Sequence, residues 1–277
     1  METGHDAGIR SVAIVGLGLI GGSLARDLAA RGVRVYASDA DYGTLQKAIT
    51  LGIVAGMWDE ERVDAVVFAV PVLEVPVVTR WLMDRLDGVR LITDAGSTKR
   101  SIVARAEKLG WGDRFVGSHP LAGDHRSGWD ASRAGLFDGA RVFLCPTPST
   151  SGQAMELAAG LWTMVGGRPE VVDADEHDRR LAWTSHLPQA VSSTLGRALA
   201  GQGIGRVELG PGGRDVTRLA GSSPEMWADI ALDNADALLP ALEAMEAELR
   251  ALRDALSAGD RERLRALFAA AREWHGG

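Results

Sequence analysis

The stretch Ser11 to Gly22, SVAIVGLGLIGG, constrains the fold of this chain more than any other. Val12, Ala13, Ile14 and Val15 form an apolar, partly β-branched run suited to a buried strand, and glycines follow at 16, 18 and 21 before a helical pattern begins. Each glycine has its own physical use. Gly16 lets the chain turn sharply, Gly18 removes the Cβ that would block a pyrophosphate, and Gly21 lets helix and strand pack closely. The free N–H groups at the start of the new helix, around Leu19 and Ile20, then face the phosphates together with the positive end of the helix dipole. A glycine-rich turn in an ordinary α/β protein is the bland alternative, and the strand and helix on either side argue against it.

Downstream, apolar runs alternate with amphipathic stretches in the manner of βαβ units. Ser23 to Arg31 reads as a helix closed by Gly32, and Val33 to Ala37 as a second strand that leads to Ser38 and Asp39. Asp39 stands 23 residues beyond Gly16, close to the spacing of about 20 expected of a carboxylate that binds an adenosine ribose. Such a carboxylate accepts hydrogen bonds from the ribose hydroxyls and repels a 2′-phosphate, so the implied cofactor is NAD. Asp39 could instead serve as a turn or N-cap residue, a role Asp41 is also placed to fill. Gln46 to Gly52 closes a second helix, and Ala65 to Val70 is an apolar strand stopped by Pro71. Ligands of open α/β sheets lie beyond the carboxyl ends of the strands, which puts Ala69, Val70 and Pro71, and Gly96 after the next strand, beside the nicotinamide half.

That next strand, Leu91 to Thr93, runs through DAGSTK into a helix, and Ser97 or Thr98 reads first as its N-cap. Phe115 to Gly123, FVGSHPLAG, then places His119 directly before a proline. Pro120 keeps His119 out of the α region, so the imidazole sits at a strand end facing the crevice. There it is either a base of ordinary pKa near 6.5 or a satisfied structural histidine. Asp124 to Asp138 reads as loop and helix, Arg141 to Cys145 as a strand, Gln153 to Val165 as a helix and Pro169 to Val172 as an edge strand.

Strand signals cease near Asp173, which divides the chain into an α/β Rossmann-type domain over 1–172 and an all-α domain over 173–277. Asp175 to Ala200 reads as one long helix in which His186 and Gln189 share a face and Pro188 introduces a kink. Gly201 to Gly213 reads as irregular and Arg214 to Ala220 as a short charged helix or turn. Ala235, Leu238, Leu242, Met245, Leu249, Leu252 and Leu256 then form the seam of a long helix, strained at Pro240, which is either internal core or a dimer contact. A last helix spans Arg261 to Trp274.

The charge balance, 30 Lys plus Arg against 37 Asp plus Glu, argues against nucleic acid or an anionic membrane as the main partner. Cys145 stands alone and no Cys/His cluster has metal-ligand spacing, so no metal and a reducing cytoplasm are expected. The N-terminus METGHDAGIR lacks an apolar signal core, and no apolar run reaches the roughly 18 residues of a membrane span.

Taken together, GLGLIGGS (16–23), DAGSTK (94–99), GSHPLAG (117–123), HDRRLAWTSHLPQA (177–190) and GPGGRDVTRLA (210–220) resemble the prephenate and arogenate dehydrogenases of tyrosine biosynthesis. The resemblance covers nearly the whole chain, in order. It implies oxidative decarboxylation of prephenate or arogenate by an NAD-dependent homodimer that meets through its helical domain. It also implies that His119 acts on the C4 hydroxyl, that Ser97 supports His119, that Arg218 binds a substrate carboxylate and that His186 lines the pocket. Gln189 stands where many members carry a second histidine, and Gly213 where an aromatic is common. With the last helix at Arg261 to Trp274, an appended regulatory domain is not expected. Two other readings compete. A β-hydroxyacid or imine reductase would carry a catalytic lysine on a helix, which is not found, and a non-catalytic NAD sensor would have no use for Ser97, His119 and Arg218 together.

The cofactor inference is directly testable. At matched concentrations the enzyme turns over with NAD in clear preference to NADP; the reverse preference would remove the ribose role of Asp39.

Overall fold

Strand β1 (Ser11–Val15) is buried on both faces and therefore lies inside a sheet. The structure, a computed structural model, describes residues 8–59, 61–123 and 126–276. Among them the sheet has eight strands. On one side of β1 lie β2 (Arg34–Ser38) and the short edge strand β3 (Gly56–Met57). On the other lie β4 (Ala65–Phe68), β5 (Leu91–Asp94), β6 (Phe115–Pro120), β7 (Arg141–Pro146) and β8 (Arg168–Val171), in that order. Neighbours are parallel except β6 and β7.

The order of winding reverses between β1 and β4, and the crevice beyond their carboxyl ends is where such a sheet receives ligands. Backbone bonds tie those ends into one rim. Gly16 N–H donates to the Ser38 carbonyl at 2.8 Å, Ala69 N–H to Val15 at 2.8 Å and Ala95 N–H to Phe68 at 2.9 Å.

Alternation along β1 builds two cores, because successive side chains leave opposite faces. Val12 and Ile14 meet Leu24 and Leu28 of α1 (Leu19–Ala30), Leu45 of α2 (Tyr42–Thr50) and Leu157 and Trp162 of α5 (Gly152–Met164). Ala13 and Val15 belong to the opposite layer with Trp58, Phe68 and Phe115, which is covered by α3 (Val75–Leu82) and by Ile102 and Ala106 of α4 (Arg100–Lys108). Cys145 is buried in this layer, and burial pushes its thiol up to about 12.

After β8 the chain is helical: α6 (Ala174–Leu181), α7 (Leu187–Gly201), α8 (Pro211–Val216), α9 (Pro224–Asp233), α10 (Ala235–Ser257) and α11 (Arg261–Gly276). Several sequence expectations change here. The long helix from Asp175 is two helices joined by a π turn at Ala182–His186, where Leu187 N–H reaches back to Ala182 O. Pro188 sits in the first turn of α7, so its missing N–H costs nothing there, and the widened turn takes the place of a kink. The irregular stretch from Gly201 ends at Pro211, where α8 starts, and Arg218 begins a separate 3-10 turn, Arg218–Gly221. Between β6 and β7 the described residues contain a 3-10 turn at Trp129–Ala131 and no α-helix; residues 124 and 125 of that stretch lie outside the described residues, as does segment 1–7. Neither Ser97 nor Thr98 caps α4, whose first N–H groups are taken by a carboxylate from the other half of the chain. Pro240 is accommodated inside α10 without a break. No described residue of α11 is buried, and Leu249, Leu256, Phe268 and Trp274 are exposed.

The glycine loop has the geometry its sequence requires. Gly16 has φ +96°, and a Cβ on Gly21 would stand 1.9 Å from the Gly16 carbonyl oxygen, whereas a Cβ on Gly18 would meet nothing within 4 Å. Gly21→Ala gains about 1 kcal/mol of helix propensity but must push α1 off β1, an overpacking cost of about 1–3 kcal/mol or more. Denaturant unfolding is expected to show Gly21→Ala destabilised and Gly18→Ala close to the parent.

Candidate active site

The open space over Gly18 is the wall of a cavity of about 440 Å³. Leu19 and Ile20 of α1, Ala69, Val70 and Pro71 after β4, Gly96 and Ser97 after β5, and His119 at the end of β6 share its lining. These are the carboxyl ends of three strands and one helix N-terminus, converging because the sheet is parallel there. The Gly18 cap of α1 makes no side-chain hydrogen bond, which leaves the first N–H groups available to an anion. The cradle therefore fits a dinucleotide. Ser38 and Asp39 lie outside this cavity's lining, at the end of β2. Asp39 accepts from Leu17 N–H at 2.6 Å and from Asp41 N–H at 2.8 Å, so it also braces the glycine loop. Asp41 is the N-cap of α2, accepting from Gly43 N–H at 2.9 Å.

His119 faces a second cavity as well, of about 580 Å³, lined by Arg141, Phe143, Arg180, Ser185, Gln189, Arg218 and Trp227 among others. The imidazole thus stands on the wall between two spaces. Behind it runs a chain of buried groups. His119 Nδ1 is 2.9 Å from His177 Nε2, and His177 Nδ1 is 2.7 Å from Asp178 Oδ1. A carboxylate can only accept, so His177 carries its proton on Nδ1 and presents a lone pair at Nε2. His119 Nδ1 must then be the donor, which leaves the lone pair of His119 on Nε2. One carboxylate thereby sets the tautomers of two rings.

Asp178 has further partners. It accepts from the N–H groups of Lys99 at 2.8 Å and Arg100 at 2.9 Å, capping α4 from α6. Burial alone would raise its pKa, but hydrogen bonds from His177, Arg100 and Lys99 outweigh that and hold the carboxyl below its ordinary range. The Lys99 ammonium is fully buried against Asp94, which also accepts from Gly96 N–H at 2.8 Å and Ser118 N–H at 3.0 Å. Thr98 donates to Asp233 of α9 at 2.6 Å. Ser97, the loop's remaining hydroxyl, has no protein partner among the described residues and opens on the cofactor-side cavity. Burial, followed by the nearby His177, Lys99 and His186, drives the His119 pKa well below that of a free imidazole. It is neutral at physiological pH and able to accept a proton.

The helical half supplies the remaining candidates unevenly. Arg218 is exposed on the second cavity, with no ion pair or hydrogen bond from its guanidinium among the described residues. Gln189 is buried, and its amide donates to Ser193 Oγ at 3.1 Å and to the Leu219 carbonyl at 2.9 Å, holding the turn that carries Arg218. His186 is not brought to the second cavity. It is 2% exposed, its Nδ1 accepts from Asn234 at 3.1 Å, and its ring packs against Trp227. The π turn rotates it inward, because the extra residue shifts the helix face.

Residues 24–171 match the family description "Prephenate dehydrogenase, nucleotide-binding domain" and residues 173–270 match "Prephenate dehydrogenase, dimerization domain". The chain belongs to the prephenate dehydrogenase family. A cyclohexadienyl dehydrogenase of Zymomonas mobilis is 36% identical over 269 residues, covering 91% of this chain and 90% of its own. The crystal structure of prephenate dehydrogenase from Aquifex aeolicus, in complex with hydroxyphenyl propionate and NAD+, is similar at TM-score 0.88 and 32% identity, covering 96% of this chain and 97% of that one. The arogenate dehydrogenase of Synechocystis is similar at TM-score 0.80 and 29% identity, covering 96% of this chain and 99% of that one. Within this family frame, His177, Asp178 and Lys99 are the site residues that sequence reasoning passed over. His177 and Asp178 head the HDRR run, but their partners lie 58 and 79 residues upstream, and no local pattern signals such a contact.

The buried histidines make stability depend on pH. Burial holds His186 down at about 4, and lowers His177 and His119 too. Between about 6.5, where the unfolded chain takes up these protons, and about 4, the unfolded state binds more protons than the native one. Stability is therefore retained above pH 6.5 and lost as pH falls through this window, which urea midpoints measured from pH 7.5 to 4.5 should show.

Proposed function

We propose that this chain carries out the NAD-dependent oxidative decarboxylation of prephenate to 4-hydroxyphenylpyruvate, a step of tyrosine biosynthesis. The observation that carries the reading is His119, neutral and tautomer-locked, on the wall between a dinucleotide cradle and a cavity with an unpaired arginine. When bound, NAD supplies the hydride acceptor for C4 of the substrate.

The chain's own residues do the rest. His119 Nε2 takes the proton of the C4 hydroxyl as the hydrogen on that carbon departs, and Ser97 holds the same hydroxyl in line. As C4 loses electron density, the bond from C1 to the ring carboxylate breaks, carbon dioxide leaves and the ring becomes aromatic. His119 then returns its proton to the phenolic oxygen, so the base is regenerated in each turnover. His177 and Asp178 share the transient positive charge, which burial alone would oppose. Arg218 grips a substrate carboxylate through a charge-assisted pair. A tight grip on the carboxylate that departs would oppose decarboxylation, so its contribution is mainly to binding.

Gly16, Gly18, Leu19, Ile20, Gly21 and Asp39 hold the cofactor in this reading, with Ser38, Ala69, Val70, Pro71 and Gly96 beside it. Gln189 serves the substrate site by fixing the Arg218 turn. Likeness to the Synechocystis arogenate dehydrogenase supports arogenate as the second reading. The exposed apolar side chains of α10 and α11 suit a homodimer built through the half that starts at 173. A buried lone cysteine and no described helix long and apolar enough to cross a membrane suit a cytoplasmic enzyme.

Steady-state assays of NADH formation with prephenate test the roles. His119→Asn lowers kcat by about 10²–10⁴-fold with little change in KM, while Arg218→Ala mainly raises KM. Near-normal turnover by His119→Asn would refute the base.

A further inference from the structure

Phe143 is the cross-strand partner of His119 in the antiparallel β6–β7 pair, so the two side chains share a face with Cβ atoms about 5 Å apart. Over its ring lie two guanidiniums, Arg141 with its central carbon at 4.9 Å from the centroid and Arg180 at 5.4 Å. One carboxylate serves both. Glu170 Oε2 takes Nε and Nη2 of Arg141 at 2.9 and 2.5 Å, and Oε1 takes Nη1 of Arg180 at 3.3 Å. The Arg141 pair lowers the Glu170 pKa, so the carboxylate stays charged and the trio keeps a net charge of plus one.

Arg180 has Nε and Nη2 without a protein partner among the described residues, and both arginines line the same cavity as His119 and Arg218. No aspartate or glutamate among the described residues lines that cavity; Glu225 and Asp229 belong to the cofactor side of His119. A guanidinium clamped by a carboxylate and stacked on an aromatic ring is held in place before any ligand arrives. Its free edge has the geometry of a carboxylate fork.

Resting on the proposed reaction, we propose that Arg180, supported by Arg141 and Phe143, is a second carboxylate station that binds the side-chain carboxylate of prephenate and disfavours arogenate. Prephenate brings two carboxylates, and a single guanidinium cannot hold both bidentately. The side-chain carboxylate is retained in the product, so gripping it stabilises ground and transition states alike and does not oppose loss of the other. Arogenate bears an ammonium on the same side chain. Beside Arg180 that ammonium meets like charge, and the one carboxylate close by, Glu170, is taken up by Arg141 and Arg180 and lies outside the cavity's lining, so the keto acid is the better fit.

The test compares kcat and KM for prephenate and arogenate in the parent enzyme, Arg180→Gln and Arg180→Lys. The parent is expected to favour prephenate in kcat/KM by tenfold or more. Arg180→Gln is expected to raise the prephenate KM roughly 10–100-fold at nearly constant kcat, as loss of uniform binding does, and to narrow the substrate ratio. Arg180→Lys, which keeps the charge and loses the fork, should recover part of the KM effect, a rescue that a purely structural side chain would not show. A parent that prefers arogenate, or an Arg180→Gln enzyme with unchanged KM for prephenate, overturns the station while leaving the dehydrogenase reading intact. A parent that turns over neither substrate overturns both.

Discussion

The carboxylate of Asp178 is the interaction on which the site depends. It belongs to α6, in the helical half, yet its partners are the first N–H groups of α4 and the ring of His177. An isolated charge in such a place would be untenable, and three directed donors make it stable. Those same bonds give the loop that carries Ser97 its shape and give His119 its proton pattern. The docking of the two halves and the setting of the His119 tautomer are consequently one event, reinforced by the Thr98 and Ser101 bonds to Asp233 and by Arg100 against Asp175 and Asp236.

How much of this was legible in the sequence follows from the range of the forces involved. The glycine loop was legible because its demands are local: a positive φ at Gly16, no room for a Cβ at Gly21 and an open cradle at Gly18. The longer strands were legible from short apolar runs, with ends shifted by a residue or two, whereas the two-residue edge strand β3 is too short to be told from a loop. The cap of α4 was not, because Ser97 and Thr98 have the right chemistry at the right place and lose the position to a carboxylate brought in by tertiary packing. His186 misled for a related reason. Helical spacing placed it beside Gln189, but the π turn inserts a residue's worth of rotation that no propensity announces. His119 and Arg218 were placed by motif resemblance, and their convergence on one cavity became visible only in three dimensions.

Charge is distributed with a purpose around His119. On the cofactor side the glycine loop offers backbone N–H groups to a phosphate chain, and Ser97, Arg126, Glu225 and Asp229 stand on the same wall. On the other side the cations gather, one of them unpaired and two sharing a single carboxylate. A buried ammonium, Lys99, completes the field from beneath and adds to the burial that keeps His119 neutral. His119 is thus uncharged on a wall between two spaces that both suit anions.

The C-terminal arm obeys a different economy. No described residue of α11 is buried, and its Phe268 and Trp274 are exposed along with Leu249 and Leu256 of α10. Apolar surface left bare by its own chain is stabilised only by whatever covers it, through mass action. Because Asp236 of α10 is tied to α4, whatever covers that surface steadies the sheet half as well, and the melting temperature of the chain would rise with protein concentration.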